Sequence, residues 1–261
     1  MEHSKSENFK YCNKCGLLYN KKAKKTVYNE TYFNDEYENQ YGTSYIDDKS
    51  QIQKKMLARL KKAEKYIGAS KNLKLLDIGS AAGFFLEIGQ KKNYSVEGWE
   101  ISSFMAKYAN KNGLKTKCGE IQKLYKSWQK EKNKAYDIVS AFYVIEHMNN
   151  QDFLWKMFSN IIKPEGLLLL TLPSYNGPMY RFHFKKWEKT HPKDHFVDYS
   201  NKVLKNISKN YGFKPLFIKP DSLHPERFPF HKLFSYFYKR IQNIFCFSDT
   251  IYAVFKKCNN R

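Results

Sequence analysis

The hydrophobic and polar positions of this chain fall into a repeating order of segments. From residue 49 to 67 the apolar positions Ile52, Met56, Leu60, Ala63 and Ile67 recur every three or four residues, the spacing of an amphipathic helix. A short apolar run over 73–78 follows and contains Asp77 near its end. Then comes a loop of small residues, Gly79-Ser80-Ala81-Ala82-Gly83, and a helical pattern from Phe84. Further strand-like segments stand at 94–101, 114–117, 135–142, 166–172, 213–218 and 250–256, with a helix expected over 200–211. Strands interleaved with helical segments over 261 residues suit one α/β domain with additions.

The chemistry that changes this picture sits at the ends of the strands. Gly79, Ala81 and Gly83 keep side chains out of the loop, so backbone can approach a ligand there. Glu100 closes the second strand, and a carboxylate about 20 residues after such a loop is placed to accept both hydroxyls of a ribose. Glu120 follows the third strand at the same rim, where it meets an adenine amino group or stands as a solvated carboxylate. The dinucleotide pattern G-x-G-x-x-G fits worse, because Ala81 and Phe84 stand where it needs glycine.

Three motifs in order then carry a resemblance. They are Asp77-Ile78-Gly79-Ser80-Ala81-Ala82-Gly83, Glu146-His147 after the fourth strand, and Lys163-Pro164-Glu165-Gly166 before the fifth. The series resembles the class I S-adenosylmethionine-dependent methyltransferases, in particular the small-molecule and sugar group, over residues 50–218 and the last strand at 250–256. Two residues depart from that family: Ala81 replaces the middle glycine of the loop, and Glu165 replaces a glycine of the turn. The resemblance implies a Rossmann-like, doubly wound seven-stranded sheet of order 3-2-1-4-5-7-6 with the last strand antiparallel and a small N-terminal extension. It also implies S-adenosyl-L-methionine as cofactor, held by Asp77, Gly79, Ala81, Gly83, Glu100, Ile101, Glu120, Ile121, Ala141 and Phe142, with Tyr41 from a lid.

The net charge of +21 raises the question of nucleic acid. The cations are nearly all lysine, with arginine only at 59, 181, 227, 240 and 261, whereas readers of bases and phosphates lean on arginine forks. No N-P-P-Y-like sequence follows the fourth strand, where Ala141-Phe142-Tyr143-Val144 stands. A nucleic-acid (RNA) methyltransferase and a non-catalytic S-adenosylmethionine-binding module remain as alternatives to a methyltransferase acting on a small molecule or a glycan, as in surface-glycan or secondary-metabolite synthesis. No run of 18 apolar residues and no apolar leader at the first residues are present, so the expectation is a cytoplasmic protein.

Residues 1–48 differ in character from the catalytic domain expected over 49–261. Cys12-Asn13-Lys14-Cys15-Gly16 is a C-x-x-C knuckle that resembles half of a zinc ribbon. A structural zinc takes four ligands, and beyond Cys12 and Cys15 this end offers only His3, so zinc competes with a knuckle that has kept its turn and lost its metal. The tyrosines at 37, 41 and 45 share one face of a helix, and the run resembles a lid segment that closes over the cofactor or packs on the main domain.

Two stretches extend beyond the core pattern. Residues 173–198 form an acceptor-side insertion ending in His191-Pro192-Lys193-Asp194-His195-Phe196, which resembles a family element that closes over the acceptor. An oxygen or nitrogen acceptor needs a base near working pH, which histidine suits. His195, His147 and Tyr143 are the catalytic candidates, with His191 and Glu146 beside them. Residues 219–249 form an aromatic and basic insertion, read first as a helix packed between strands six and seven and second as a helix lying in a membrane interface. The pattern leaves the acceptor atom and the oligomeric state open.

Overall fold

The computed structural model describes residues 6–29, 38, 42–67, 72–131 and 135–259. Tyr41 and His3 lie outside the described residues, as does most of the tyrosine-rich run. In chain order the elements are β1 (Phe9–Tyr11), β2 (Leu18–Asn20), α1 (Lys49–Glu64), β3 (Lys74–Ile78), α2 (Phe84–Lys91), β4 (Ser95–Glu100), α3 (Ser103–Lys111), β5 (Thr116–Cys118), α4 (Ile121–Gln129) and β6 (Tyr136–Phe142). Then follow a 3-10 turn (Ile145–His147), α5 (Gln151–Ile161), β7 (Ile162–Pro173), α6 (Pro178–Phe182), α7 (Phe184–Thr190), β8 (Val197–Asp198), α8 (Asn201–Asn210), β9 (Phe213–Pro220), a 3-10 turn (Pro225–Arg227), α9 (His231–Phe245) and β10 (Thr250–Lys257).

The main sheet runs β5-β4-β3-β6-β7-β10-β9, which is the expected 3-2-1-4-5-7-6 order. It is parallel from β5 through β6, with antiparallel pairing among the last strands. The chain divides into two compact units: Met1–Lys25 with Phe142–Lys156 and Leu170–Lys256, and Thr26–Ala141 with Met157–Leu169 and Lys257–Arg261.

In the second of these, β3 is an apolar run because it lies between two parallel neighbours. Leu75, Leu76 and Ile78 are buried, and Asp77 pairs in register with Gly98 and Ser140. Gly98 is required by packing: a Cβ there would stand 2.5 Å from Ser80 Oγ and 2.8 Å from Leu86 Cδ1. Glu97 is held by Lys115 at 2.9 Å and Lys117 at 3.0 Å. Burial opposes its charge, but the two ammonium groups prevail and draw its pKa down to about 2.

The two departures from the family loops share one conformation. Ala81 has φ 44° and Glu165 φ 64°, both in the left-handed region where glycine is the low-energy residue. Both turns therefore keep their shape while the side chain carries the strain.

In the first unit, β1, β2 and β8 form a small antiparallel sheet. The C-x-x-C knuckle is its hairpin turn: Cys15 N–H donates to Cys12 Sγ at 3.4 Å and Gly16 N–H to the Cys12 carbonyl at 2.7 Å. Tyr175 donates its hydroxyl to the Gly16 carbonyl at 2.7 Å, and Phe9, Leu18, Tyr175 and Tyr180 pack together. The turn is thus tied down by hydrogen bonds and packing. The insertion over 173–198 contains α6, α7 and β8. Among the described residues, no helix is long and apolar enough to cross a membrane.

Candidate functional site

The cofactor loop lies wholly in the second unit. Leaving β3, Gly79 N–H and Ser80 N–H both donate to the Trp99 carbonyl, at 2.8 and 3.3 Å, which folds the loop back onto β4. Gly83 N–H closes the turn on the Ser80 carbonyl at 2.8 Å, and Gly83 then starts α2 at φ 80°. The Glu100 side chain locks the loop: one carboxylate oxygen accepts from Ala81 N–H at 2.8 Å and the other from Ser102 N–H at 2.7 Å. Gly119 N–H donates to the Glu100 carbonyl at 2.8 Å, which brings the end of β5 to the same place.

Charge at this site is held under strain. Asp77 is fully buried, and burial, together with the nearby Glu100 charge, raises its pKa to about 7 despite a 2.6 Å hydrogen bond from the Ser140 hydroxyl. Burial likewise raises Glu100, against the backbone N–H groups that favour its charge. Each Glu100 oxygen keeps lone-pair capacity beyond its one N–H, which matches the two hydroxyls of a ribose. The donor set therefore fits S-adenosylmethionine.

Asp77, Gly79, Ala81, Gly83 and Glu100 are thus brought together. Ile101, half exposed, follows Glu100, and its carbonyl faces the Cys118 thiol at 3.8 Å. Glu120 precedes α4 with a half-exposed side chain 3.7 Å from Lys123 Nζ, and Ile121 opens that helix. Ala141 is buried beside Ile78 at the end of β6. Phe142 is buried in the first unit, its ring 6.5 Å from Tyr252. The described end of the tyrosine run packs on the loop: Tyr45 stacks on Phe84 at 5.3 Å and 4°, in a cluster with Ala82 and Met105.

A second constellation lies in the first unit. The turn Ile145–His147 is clamped by Gln151, whose amide donates to the carbonyls of Ile145 and Met148. Phe196 N–H donates to the Glu146 carbonyl at 2.8 Å, tying the insertion to this turn. Three imidazoles meet edge to face: His147 and His195 at 4.7 Å, His191 and His195 at 5.4 Å. His147 Nδ1 lies 3.3 Å from the Asp194 carboxylate, and His191 Nε2 lies 2.8 Å from Asp198.

The groups in this cluster differ sharply in electrostatics. Burial drives His195 down to about 3, assisted by the neighbouring His147 and His191. Burial also opposes a charge on His147, but Asp194 and Glu146 outweigh it, so its pKa is raised above 6.5. Glu146 is fully buried and pushed up to about 7, chiefly by desolvation. Both Glu146 carboxylate oxygens and His195 Nδ1 are buried without a hydrogen-bond partner. Glu146, His147 and His195 form one group whose ligand atoms lie within 4.8 Å of one another, and His191, His195 and Asp198 another. These are donors a divalent cation accepts. Cys12 and Cys15 belong to neither group.

Tyr143 stands apart from the histidines in its partners. Its φ is 58°, its N–H donates to the Thr171 carbonyl at 2.7 Å, and its hydroxyl donates to Asp221 at 3.3 Å. Asp194 and Asp198 escaped the sequence reading. Their signal was the repeated spacing His191-x-x-Asp194-His195-x-x-Asp198, although in the structure Asp194 pairs with His147 and Asp198 with His191.

Fold and loop together define a class I S-adenosylmethionine-dependent methyltransferase. The chain belongs to the methyltransferase-domain family, which matches it over residues 49–216. Among curated proteins it is similar to the ubiquinone biosynthesis O-methyltransferase of Pelagibacter ubique, 27% identical over 154 residues. That match covers 56% of this chain and 64% of the relative's length. Among solved structures it shares its fold with a SAM-dependent methyltransferase from Archaeoglobus fulgidus, with TM-score 0.60 and 16% identity over 85% of this chain and 98% of that one. It shares it also with Haemonchus contortus phosphoethanolamine N-methyltransferase 2 in complex with S-adenosyl-L-methionine, with TM-score 0.55 and 15% identity over 79% and 53% of the two chains.

Proposed function

We propose that this methyltransferase acts on the hydroxyl of a small molecule and that its histidine–carboxylate cluster handles the acceptor proton. The observation that carries the reading is the cluster itself: His147 backed by Asp194, facing a neutral His195 with an open Nδ1. The O-methyltransferase relative points to the same kind of acceptor atom.

The roles divide by pKa. His147, raised above 6.5 by Asp194, is the stronger base and takes the proton as the acceptor oxygen is methylated. His195, near 3, stays neutral at working pH and positions the hydroxyl through a hydrogen bond to an imidazole nitrogen. Tyr143 and Asp221 contribute a further polar pair for the acceptor body. Asp77, Gly79, Ala81, Gly83, Glu100, Glu120 and their neighbours Ile101, Ile121, Ala141 and Phe142 hold the cofactor, with Glu100 taking the ribose hydroxyls. When bound, S-adenosylmethionine supplies a methyl group on a sulfonium already activated for in-line displacement. The protein's task is then orientation and exclusion of water.

The test is turnover of S-adenosylmethionine against hydroxylated aromatics, amines and nucleotide sugars, read as S-adenosylhomocysteine release and product mass. O-methylation of a small hydroxylated acceptor, lost in His147→Ala with cofactor affinity intact, is the expected result. Turnover confined to amines, or to an RNA substrate, overturns it.

A further inference from the structure

The α9 helix half-buries Tyr238 and Ile241 but turns most of its bulky apolar side chains to solvent: Leu233 is 79% exposed, Tyr236 76%, Phe237 58% and Ile244 65%. The helix is kinked at Phe234, and beyond the kink Tyr236, Phe237 and Ile244, spaced i, i+1 and i+8, share one side. The opposite side carries Gln242, fully buried, and Tyr238, whose ring stacks on Phe228 at 4.4 Å and whose hydroxyl donates to the Pro229 carbonyl at 2.8 Å. A helix that only packed between strands would turn the apolar side inward. Phe230, just before the helix, is 80% exposed and Phe245, its last residue, 67%, so the apolar surface runs past both ends.

The charges on this face are of one sign. Lys232, Lys239 and Arg240 are exposed, and the helix contains no Asp or Glu. Bulky apolar side chains flanked by long cationic ones form a surface that inserts into an acyl boundary while the cations reach phosphate headgroups. A second copy of this chain is the weaker occupant, because a symmetric contact would set Lys232, Lys239 and Arg240 against their own equivalents in a protein of net charge +21.

We propose that α9 docks the protein on an anionic lipid bilayer, lying in the plane of the interface with Leu233, Phe237 and Ile244 buried among the lipids. The proposal does not depend on which acceptor is methylated. It gives this methyltransferase a membrane surface as partner, held by a helix that spans nothing.

The experiment is flotation of the full-length protein with vesicles of phosphatidylcholine alone and with 30% phosphatidylglycerol. Three forms are compared: wild type, Leu233→Asn with Phe237→Asn, and Lys232→Gln with Lys239→Gln and Arg240→Gln. S-adenosylmethionine affinity is measured on each to show that the fold is intact. Wild type is expected to float with the anionic vesicles and to be released by high salt. The neutralised triple variant should lose on the order of 100-fold in partition, about fivefold for each cation removed. The double asparagine variant should lose binding at all salt concentrations. Wild type that ignores both vesicles overturns the proposal, as does binding untouched by either set of substitutions. A wild-type dimer in sedimentation that the double asparagine variant dissociates, with no vesicle binding, also overturns it and assigns the face to a second copy.

Discussion

Two buried carboxylates with the same raised pKa, Asp77 and Glu146, sit in very different surroundings. Asp77 accepts a 2.6 Å hydrogen bond from Ser140 and lies behind a loop whose N–H groups are pinned by Glu100 and Trp99. Glu146 has both oxygens buried and unpartnered beside an imidazole nitrogen that is also open. The backbone N–H groups of the Gly79–Gly83 loop are therefore largely satisfied by the chain itself, with Ser80 Oγ left buried and unpartnered, so under the proposed function cofactor binding there would cost little rearrangement. The histidine side holds unmet hydrogen-bonding capacity, an expensive state for a fold to keep unless a ligand completes it. Pre-organisation marks the invariant partner of the reaction, and unsatisfied polarity marks the variable one.

The comparison breaks most sharply at Glu100. Replacing it with alanine removes the acceptor for the Ala81 and Ser102 N–H groups and, under the proposed function, for the ribose as well. Charge-assisted hydrogen bonds contribute about 1.5–3 kcal/mol each, so calorimetric titration with S-adenosylmethionine should show affinity weakened by on the order of 100-fold or more. Glu100→Gln keeps one acceptor oxygen and should fall between. Equal affinity in wild type and alanine variant would remove the loop from the cofactor site.

On the other side, His147→Ala should lower kcat by on the order of 100-fold while leaving cofactor affinity unchanged. A base must be neutral to accept a proton, and the pKa of His147 is raised above 6.5. Activity should therefore climb with pH through a midpoint above 6.5 and level off beyond it. In His195→Ala that midpoint should rise, because the space left behind admits water and eases the burial that opposes a charge on His147. A kcat–pH profile that is flat from pH 6 to 9 in wild type would sink the assignment of His147 as the base.

These two sides were unequally legible in the sequence. The strand segments, the loop and Glu100 were readable because each is local: an apolar run, a small-residue turn, a carboxylate at a fixed distance along the chain, whereas the strand order came only from the family resemblance. The histidine cluster was half readable. His147 and His195 stood out as residue types, but Asp194 and Asp198 gain meaning only when the insertion folds back against the turn at Glu146, a contact across some 50 residues of chain. The α9 helix was legible only as an element. Its periodicity gives the helix but does not say which side faces the protein, and the side that faces solvent is the apolar one. Local pattern fixes the element, and only tertiary packing orients it.

The unmet state of Glu146 makes a smaller prediction about stability. Its folded pKa of about 7 lies above the ordinary 4.5, so the folded state holds that proton more tightly than the unfolded chain. The favourable contribution is full below pH 4.5, shrinks as pH rises toward 7 and is gone above it. Glu146→Gln cannot lose the proton, so its melting temperature relative to wild type should improve between pH 5 and pH 8. At about 1.4 kcal/mol per pKa unit and roughly 2–4 °C per kcal/mol, the gain is several degrees. The same scan on Asp77→Asn should show at least as large a gain, because its folded pKa is also about 7 and its ordinary value of 3.8 is lower, while any disturbance of the Ser140 bond lowers the melting temperature equally at every pH. A much smaller gain for Asp77→Asn would mean that the two carboxylates do not share a raised pKa.

The smallest effect is expected within the loop, and it separates two positions that look alike in sequence. Ala81 sits at φ 44°, so glycine there relieves left-handed strain of about 1–2 kcal/mol. Glycine also adds about 0.4–1 kcal/mol of freedom to the unfolded chain and gives up a buried methyl group, so the terms nearly cancel. Ala81→Gly should shift the melting temperature by no more than about 2 °C and cofactor affinity by less than threefold. Gly83→Ala is not the mirror of this change. Its φ is 80°, and the new Cβ would stand 2.7 Å from Leu114 Cδ1 and 3.2 Å from Ala109 Cβ. Steric conflict then adds to strain, and the start of α2 must move. If Ala81→Gly weakened cofactor binding tenfold while Gly83→Ala did not, the methyl of Ala81 would be a contact with the cofactor, and the departure from glycine at that position would be an adaptation of this loop.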